Sequence, residues 1–137
     1  MTPDQVRLVQ ESFARVVPIA PTAAALFYDR LFAIDPETKA LFASSDMNEQ
    51  GRKLMAAIGM VVTALHAPEP VIARVQDLAR RHVGYGVREA HYATVGAALL
   101  WTLGQGLGEA FTPEVEAAWA AAYGLLSGLM IEAARAA

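Results

Sequence analysis

Seven prolines punctuate a chain whose other segments repeat apolar residues at the spacing of an amphipathic helix. An N-cap residue followed by proline, the order in which many helices begin, occurs at Thr2-Pro3, Asp35-Pro36 and Thr112-Pro113. Because proline has no amide hydrogen and disrupts a helix interior, the prolines mark helix boundaries. No stretch alternates apolar and polar residues as a strand does. The sequence therefore predicts an all-α fold.

The spacing of the apolar residues predicts about seven helices of unequal length. They are expected at about 3–16, 23–34, 36–42, 48–65, 72–85, 89–107 and from 113 onward. These segments lack the matched lengths and heptad seams of a four-helix bundle. We therefore expect helices that cross one another around a shared core.

The composition excludes several classes of protein. A chain of 137 residues with 55% hydrophobic residues is expected to form one domain, residues 1–137. A net charge of −3 and the lack of a basic cluster disfavour nucleic acid as a partner. The apolar runs Ala56 to Leu65 and Tyr92 to Leu103 are too short for membrane insertion, and no secretory signal is visible, so we expect a cytoplasmic protein.

His82 is the one histidine predicted to lie in the middle of an apolar helix face. It shares that face with Ile72, Val75, Leu78, Ala79 and Tyr85. The other two histidines, His66 and His91, are expected at exposed helix ends. From spacing alone, His82 is either a metal ligand or a core imidazole bonded to a backbone carbonyl.

The surroundings of His82 narrow the kinds of metal site that the chain could form. No H-E-x-x-H motif, second inward histidine or carboxylate cluster lies nearby, so a zinc or di-iron site lacks ligands. A single imidazole suits a metal that a macrocycle already holds. The chain has no cysteine, so a heme would be held non-covalently. Hydrolase and nucleotide-binding motifs are also missing.

Six stretches in order along the chain resemble the bacterial single-domain globins and the globin part of flavohemoglobins. They are AALFYDRL at 24–31, PETKALF at 36–42, QGRKLM at 50–55, LARRHVGYGV at 78–87, HYATVGAALL at 91–100 and AWAAAYG at 118–124. The resemblance implies a globin fold, about seven crossed helices around a heme pocket. It also implies a non-covalent heme b that binds O2, CO or NO.

The same resemblance implies roles for individual residues. His82 would be the proximal iron ligand through Nε2, while Tyr28 and Gln50, with Leu54 beside them, would line the distal face. Further heme contacts are implied at Phe42, Lys53, Arg81, Val87, Tyr92 and Val95. Other interpretations stay open for three of these residues. Tyr28 could bond to backbone, Gln50 could be a solvated helix-start residue, and Phe42 could be ordinary core.

The chain departs from the family pattern on the proximal side. Family members pair the counterpart of Tyr92 with a glutamate that polarises the proximal histidine, but that position here is Ala134. Glu132, the nearest carboxylate, lies two residues earlier, about 200 degrees around the helix. A peroxidase-like push from this side is therefore not expected.

The resemblance leaves four functions open. Reversible O2 binding comes first, with a high affinity set by hydrogen bonds from Tyr28 and Gln50. The second is nitric oxide dioxygenation, which would need a separate reductase because the sequence ends at Ala137 without flavin or nicotinamide domains. The third is a gas sensor, and the fourth a cofactor-free helical interaction domain. Either a monomer or a homodimer is compatible with the sequence.

Overall fold

The computed structural model describes residues 1–136, and this part of the chain contains helices and no strand. Six α-helices are present: α1 (Pro3–Val16), α2 (Ala20–Ile34), α3 (Met47–Thr63), α4 (Glu69–Gly84), α5 (Glu89–Leu107) and α6 (Pro113–Arg135). Three short 3₁₀ helices lie between them, at Val17–Ile19, Pro36–Phe42 and Gly108–Ala110. The all-α prediction is confirmed.

Side-chain caps explain where several helices begin. The Thr2 side chain accepts a hydrogen bond from the backbone amide of Gln5, and the Gln5 side chain accepts one from the backbone amide of Thr2. The two bonds form a complete capping box. Asp46 caps α3, and Thr112 caps α6 by accepting from the Val115 amide at 3.3 Å. Pairing these otherwise unsatisfied amides fixes the first turn of each helix.

The first two helices are less separated than the prolines predict. The 3₁₀ helix Val17–Ile19 joins α1 to α2, and α2 begins at Ala20, three residues before the predicted start. Pro18 and Pro21 both occupy the first turns of their helices, where no amide donor is needed. The prolines therefore bend the chain without leaving a loop between the two helices.

Buried side chains form two clusters of different size. The main core contains fourteen buried residues from α1, α2, α3, α5 and α6, among them Phe27, Leu31 and Trp119. The second cluster, which we call the α4 core, contains Val75, Ala79, Tyr92 and Met130. It joins α4 to α5 and α6.

Helix α4 is placed by α6 more than by its neighbour along the chain. It packs extensively against α6, whereas its contacts with the preceding α3 are sparse. Helix α3 packs instead against α2 and α1. The two consecutive helices therefore diverge from the turn that joins them.

Two helical stretches, Pro3–Ile34 and Pro113–Arg135, are long and apolar enough to cross a membrane by length and composition alone. Core helices of soluble proteins meet the same criterion, so this is weak evidence for a membrane span. Both stretches contribute buried residues to the main core, including Leu31 and Trp119. The absence of membrane insertion stays a prediction from the sequence.

Candidate functional site

His82 lies on the last turn of α4 and is half-buried. Its Nδ1 is 2.8 Å from the carbonyl oxygen of Leu78, one turn earlier. Because a carbonyl only accepts, Nδ1 carries the hydrogen, and a neutral ring then has its lone pair on Nε2. Burial lowers the pKa of His82 and so favours this neutral form. The bond to Leu78 partly offsets the effect.

Tyr85 and His91 differ from their predicted placements. Tyr85 was expected on the buried face of α4, but it is the C-cap residue and 66% exposed. His91 was expected at the surface, yet it is buried, and its Nδ1 accepts from the Arg88 amide at 2.8 Å. His91 thus caps the start of α5 from inside. Its place three residues after Arg88 was the available signal.

Tyr28 lies on α2 and Gln50 lies on α3. The two residues are close together where these helices pack against each other. Burial raises the pKa of Tyr28, and the nearby Gln50 side chain partly opposes this rise. Tyr28 is 6% exposed, and Gln50 is half-buried. The structure thus brings these two side chains near each other, and their role at a distal face stays a prediction.

An aromatic cluster surrounds Tyr28 at the end of α2. The Phe42 ring meets the Tyr28 ring edge-on at 5.2 Å, and Phe27 does so at 5.0 Å from the other side. Phe32 completes the cluster, 5.7 Å from Phe42. These contacts fix the orientation of the Tyr28 ring, and they place Phe42 beside it.

The crossing of α2 and α3 is unusually close. A Cβ atom placed on Gly51 would lie 2.9 Å from the Cβ of Ala24, closer than real side chains approach. Gly51 directly follows Gln50 along α3, so the missing side chain lets this end of α3 approach α2. The approach brings the Gln50 end of α3 towards the helix that carries Tyr28.

The turn after His82 returns to the 3₁₀ helix Pro36–Phe42. Gly86 has a φ of 90°, and a Cβ there would lie 3.5 Å from the Leu41 side chain. The Val87 amide donates to the His82 carbonyl at 3.0 Å, and Arg88 pairs with Glu37 at 3.9 Å. The α4–α5 turn and the Pro36–Phe42 segment thus lie against each other.

The remaining predicted heme contacts differ in burial. Leu54 and Val95 are half-buried and pack against the main core. Lys53 is exposed on α3, and Arg81 pairs with Asp77 at 2.9 Å on the exposed side of α4. To hold an anionic group of a cofactor, Arg81 would have to exchange its partner.

A tyrosine pair that the sequence did not predict supports the proximal side. The Tyr123 hydroxyl donates to the Tyr92 carbonyl at 2.6 Å, and burial raises the pKa values of both tyrosines. A Cβ on Gly96 would lie 2.7 Å from the Tyr123 ring, so only glycine admits that ring against α5. A glycine one turn after Tyr92 was the signal available in the sequence.

The structure also describes the positions where the chain departs from the family pattern. Ala134 is half-buried, whereas Glu132 is exposed. The adjacent Arg135 forms two hydrogen bonds with Glu89, one of 3.0 Å, at the surface. No carboxylate therefore takes the place of the missing glutamate from this part of α6.

These residues fit the heme group that the sequence resemblance implies. Within residues 1–136, no three His, Asp or Glu side chains converge on one metal position, so a metal at His82 needs ligands from a cofactor. In the part of the chain that the structure describes, the Nε2 of His82 has no hydrogen-bond partner, and α4 makes few contacts with α3. Leu54, Ile58 and Val61 offer half-buried apolar surface along α3.

Comparison with known proteins gives a consistent result. Residues 25–130 match the family model described as Globin. A flavohemoprotein from Rhodopirellula baltica is 34% identical over 128 residues, which is 92% of this chain and 31% of the relative. A flavohemoprotein from Bordetella pertussis is 39% identical over 112 residues, 80% of this chain and 28% of the relative. The chain thus spans about a third of the length of these relatives.

A solved structure of a bacterial globin from Campylobacter jejuni superimposes on nearly the whole chain. The TM-score is 0.88 at 27% identity, and the match covers 98% of this chain and 97% of the other. The crossed arrangement of helices is therefore shared with a single-domain protein.

Proposed function

This chain belongs to the globin family, and we propose that it holds heme b through His82 and reversibly binds O2 between Tyr28, Gln50 and the iron. The observation that carries the proposal is the His82 ring, whose Nδ1 is engaged by Leu78 and whose Nε2 is free. Heme would supply the iron at which a diatomic gas coordinates.

On the proximal side, the protein would orient the His82 imidazole and keep it uncharged. The Leu78 carbonyl holds the Nδ1 hydrogen, which fixes both the tautomer and the ring orientation. A carbonyl polarises the ring less than a carboxylate does, and Ala134 supplies no carboxylate. His82 would therefore act as a neutral ligand, which suits reversible binding better than bond cleavage.

On the distal side, Tyr28 and Gln50 would donate hydrogen bonds to the bound gas. These donors would favour a gas such as O2, which gains negative charge on binding, over CO, which stays nearly neutral. A hydrogen bond to a charged acceptor contributes about 1.5–3 kcal/mol. The aromatic cluster that locks the Tyr28 ring reduces the entropy lost when the phenol is used in this way.

The absorption spectrum of the purified protein tests the proposal directly. We expect a Soret band, a five-coordinate ferrous spectrum and a stable, reversible O2 complex. A protein that expresses folded but binds no added hemin would overturn the proposal. That outcome would leave the cofactor-free interaction domain as the explanation.

Nitric oxide dioxygenation is the second candidate, because the relatives are flavohemoproteins that are about three times as long as this chain. Turnover would need electrons from a reductase. The test is catalytic consumption of NO with added flavin reductase and NADH. Continued turnover would favour the enzyme, whereas a single turnover per heme would favour the carrier. A gas sensor would need a partner that responds to ligand binding.

A further inference from the structure

Helix α4 and the turn after it are positively charged, although the chain as a whole is acidic. Residues 70–88 contain one carboxylate, that of Asp77, and four arginines: Arg74, Arg80, Arg81 and Arg88. With His82 neutral, this stretch has a net charge of +3, whereas the whole chain has a net charge of −3. The one basic stretch of the chain therefore includes the proposed iron ligand.

The charges of this stretch lie at the surface. Arg80, Arg81 and Arg88 are all exposed. Arg81 pairs with Asp77 at 2.9 Å, and the more distant pair of Arg88 with Glu37 spans 3.9 Å. Among the residues that the structure describes, no carboxylate pairs with Arg80. Because both ion pairs are exposed, they are weak, and the arginines can exchange them for other carboxylates.

Two exposed apolar side chains lie among these arginines. Val83 is 44% exposed, and Tyr85 is 66% exposed. Residues three or four apart are neighbours on the surface of a helix, so Arg80 lies beside Val83 and Arg81 lies beside Tyr85. Exposed apolar side chains within a charged rim are typical of a surface that binds another protein.

The Tyr85 ring also lies next to the ring of His82. The two ring centroids are 6.3 Å apart, and the ring planes are inclined by 50°. His82 itself is half-buried, so Tyr85 is the exposed group beside it. A protein seated on Tyr85 would therefore be one aromatic side chain away from the proposed iron ligand, which is where a donor of electrons to the iron has to be.

We propose that this exposed surface docks a small acidic protein that delivers single electrons to the heme iron. We call it the basic face, and it consists of Arg80, Arg81, Val83, Tyr85 and Arg88. The inference rests on the proposed binding of heme. One electron leaves the reduced donor and is gained by the ferric iron, which becomes ferrous, and no covalent bond forms or breaks.

The chemistry of the basic face favours this occupant. Positive charge attracts an acidic partner and speeds its encounter with the globin. The face is small, and protein complexes that transfer electrons typically bury less than about 1,200 Å² in total. The apolar side chains at its centre suit a protein better than a nucleic acid, whose phosphates need cations alone.

Reduction of the ferric holoprotein by a reduced acidic [2Fe–2S] ferredoxin is the first test, followed by stopped-flow absorption under CO. The second-order rate constant should fall as ionic strength rises, because salt screens the attraction. Arg80→Gln and Arg88→Gln should each lower it about two- to fivefold at low ionic strength, the range that one exposed ion pair supports. Arg15→Gln removes the same charge from an exposed position on α1 and should change the rate constant little.

Backbone NMR of the CO complex locates the contact without electron transfer. Titration with oxidised ferredoxin should shift the amide signals of Arg81, Val83, Tyr85 and Arg88 in a saturable way, and added salt should reverse the shifts. Tyr85→Ala should slow electron transfer, whereas Tyr85→Phe, which keeps the ring, should retain the rate of the wild type.

Three outcomes would overturn the basic face as a docking site for an acidic donor. They are equal rate constants for the three Gln variants, amide shifts confined to another surface, and equal shifts of the same amides by a single-stranded oligonucleotide. Photoreduced riboflavin, a small uncharged donor, should reduce all variants at the same rate. A protein that takes up no heme would contradict the proposed function instead, and the ferredoxin titration of the heme-free protein would then decide whether the basic face binds.

Discussion

The two buried clusters that position the candidate site differ in size and in what they hold. The main core joins five helices through fourteen buried residues and carries Tyr28. The α4 core has four buried residues and supports the helix that carries His82. The Tyr28 side of the candidate site is therefore supported by a larger buried cluster than the His82 side.

This difference indicates how the molecule divides its tasks. Tyr28 is oriented by dense aromatic packing, which suits a donor that must hold one direction. His82 lies on a helix whose contacts with α3 are sparse. We expect heme to complete the α4 core, since a ligand that binds only the folded state adds its binding free energy to stability.

Replacing His82 should have the largest effect. His82→Ala is expected to lose the five-coordinate ferrous spectrum, because no other imidazole lies on α4, and added imidazole should restore it. The measurement is the absorption spectrum of the reduced protein with and without imidazole. His66→Ala, at an exposed position, is the control. An unchanged His82→Ala spectrum would show that another residue binds the iron.

Truncating one residue in each cluster tests whether the main core and the α4 core contribute differently to stability and heme retention. Leu31→Ala in the main core should lower the free energy of unfolding by about 2–5 kcal/mol, because the crowded core cannot close the cavity. Met130→Ala in the α4 core should cost less, since α4 can shift to fill the space, and should speed heme loss more. Urea unfolding and transfer of heme to an apoprotein scavenger measure the two quantities. Equal effects of the two substitutions on unfolding and on heme loss would refute the difference between the main core and the α4 core.

Removing the Tyr28 hydroxyl probes the main-core side alone. Tyr28→Phe should speed O2 release by a factor of about ten to one hundred, since a bond to a charged acceptor contributes about 1.5–3 kcal/mol. CO release should barely change, because CO is a weak acceptor. Stopped-flow measurement of both rates checks the prediction. Tyr85→Phe, at a 66% exposed position, is the control. Identical O2 dissociation in the two variants would remove Tyr28 from the binding model.

The smallest effect is expected at the contact that joins α6 to α5 beside the α4 core. Tyr123→Phe removes the bond to the Tyr92 carbonyl and should lower the free energy of unfolding by about 0.5–1.5 kcal/mol. Burial raises the pKa of Tyr123 above its usual 10.0, so its contribution is present below pH 10 and is lost as the pH rises through the raised value. Urea unfolding at neutral and alkaline pH should show the wild type losing more stability than the variant.

Local signals predicted most of the helix boundaries. Apolar spacing predicted α5 at Glu89–Leu107, and Thr112 with Pro113 predicted the start of α6, as observed. The prolines placed the start of α2 too late, because Pro18 lies in the 3₁₀ helix Val17–Ile19 and Pro21 lies in the first turn of α2. A proline shows where a helix can begin, but the tertiary packing decides whether a loop precedes it.

The candidate site was predicted in part, for a different reason. The family resemblance named Tyr28, Gln50 and His82, and the structure places the first two together and gives the third a bonded Nδ1. The heme roles of these residues stay predictions, as do those of Phe42, Lys53 and Arg81. The burial of His91 and the bond from Tyr123 to Tyr92 join residues through three-dimensional contact, and neither follows from helix periodicity.

The close crossing at Gly51 has a consequence for how gas affinity could change over time. A methyl group at that position would act as a spacer, pushing α3 away from α2 and carrying the Gln50 amide away from the Tyr28 phenol. Ligand retention could then be tuned by a residue that never touches the ligand. Gly51 thus sets the distance between the Tyr28 and Gln50 side chains.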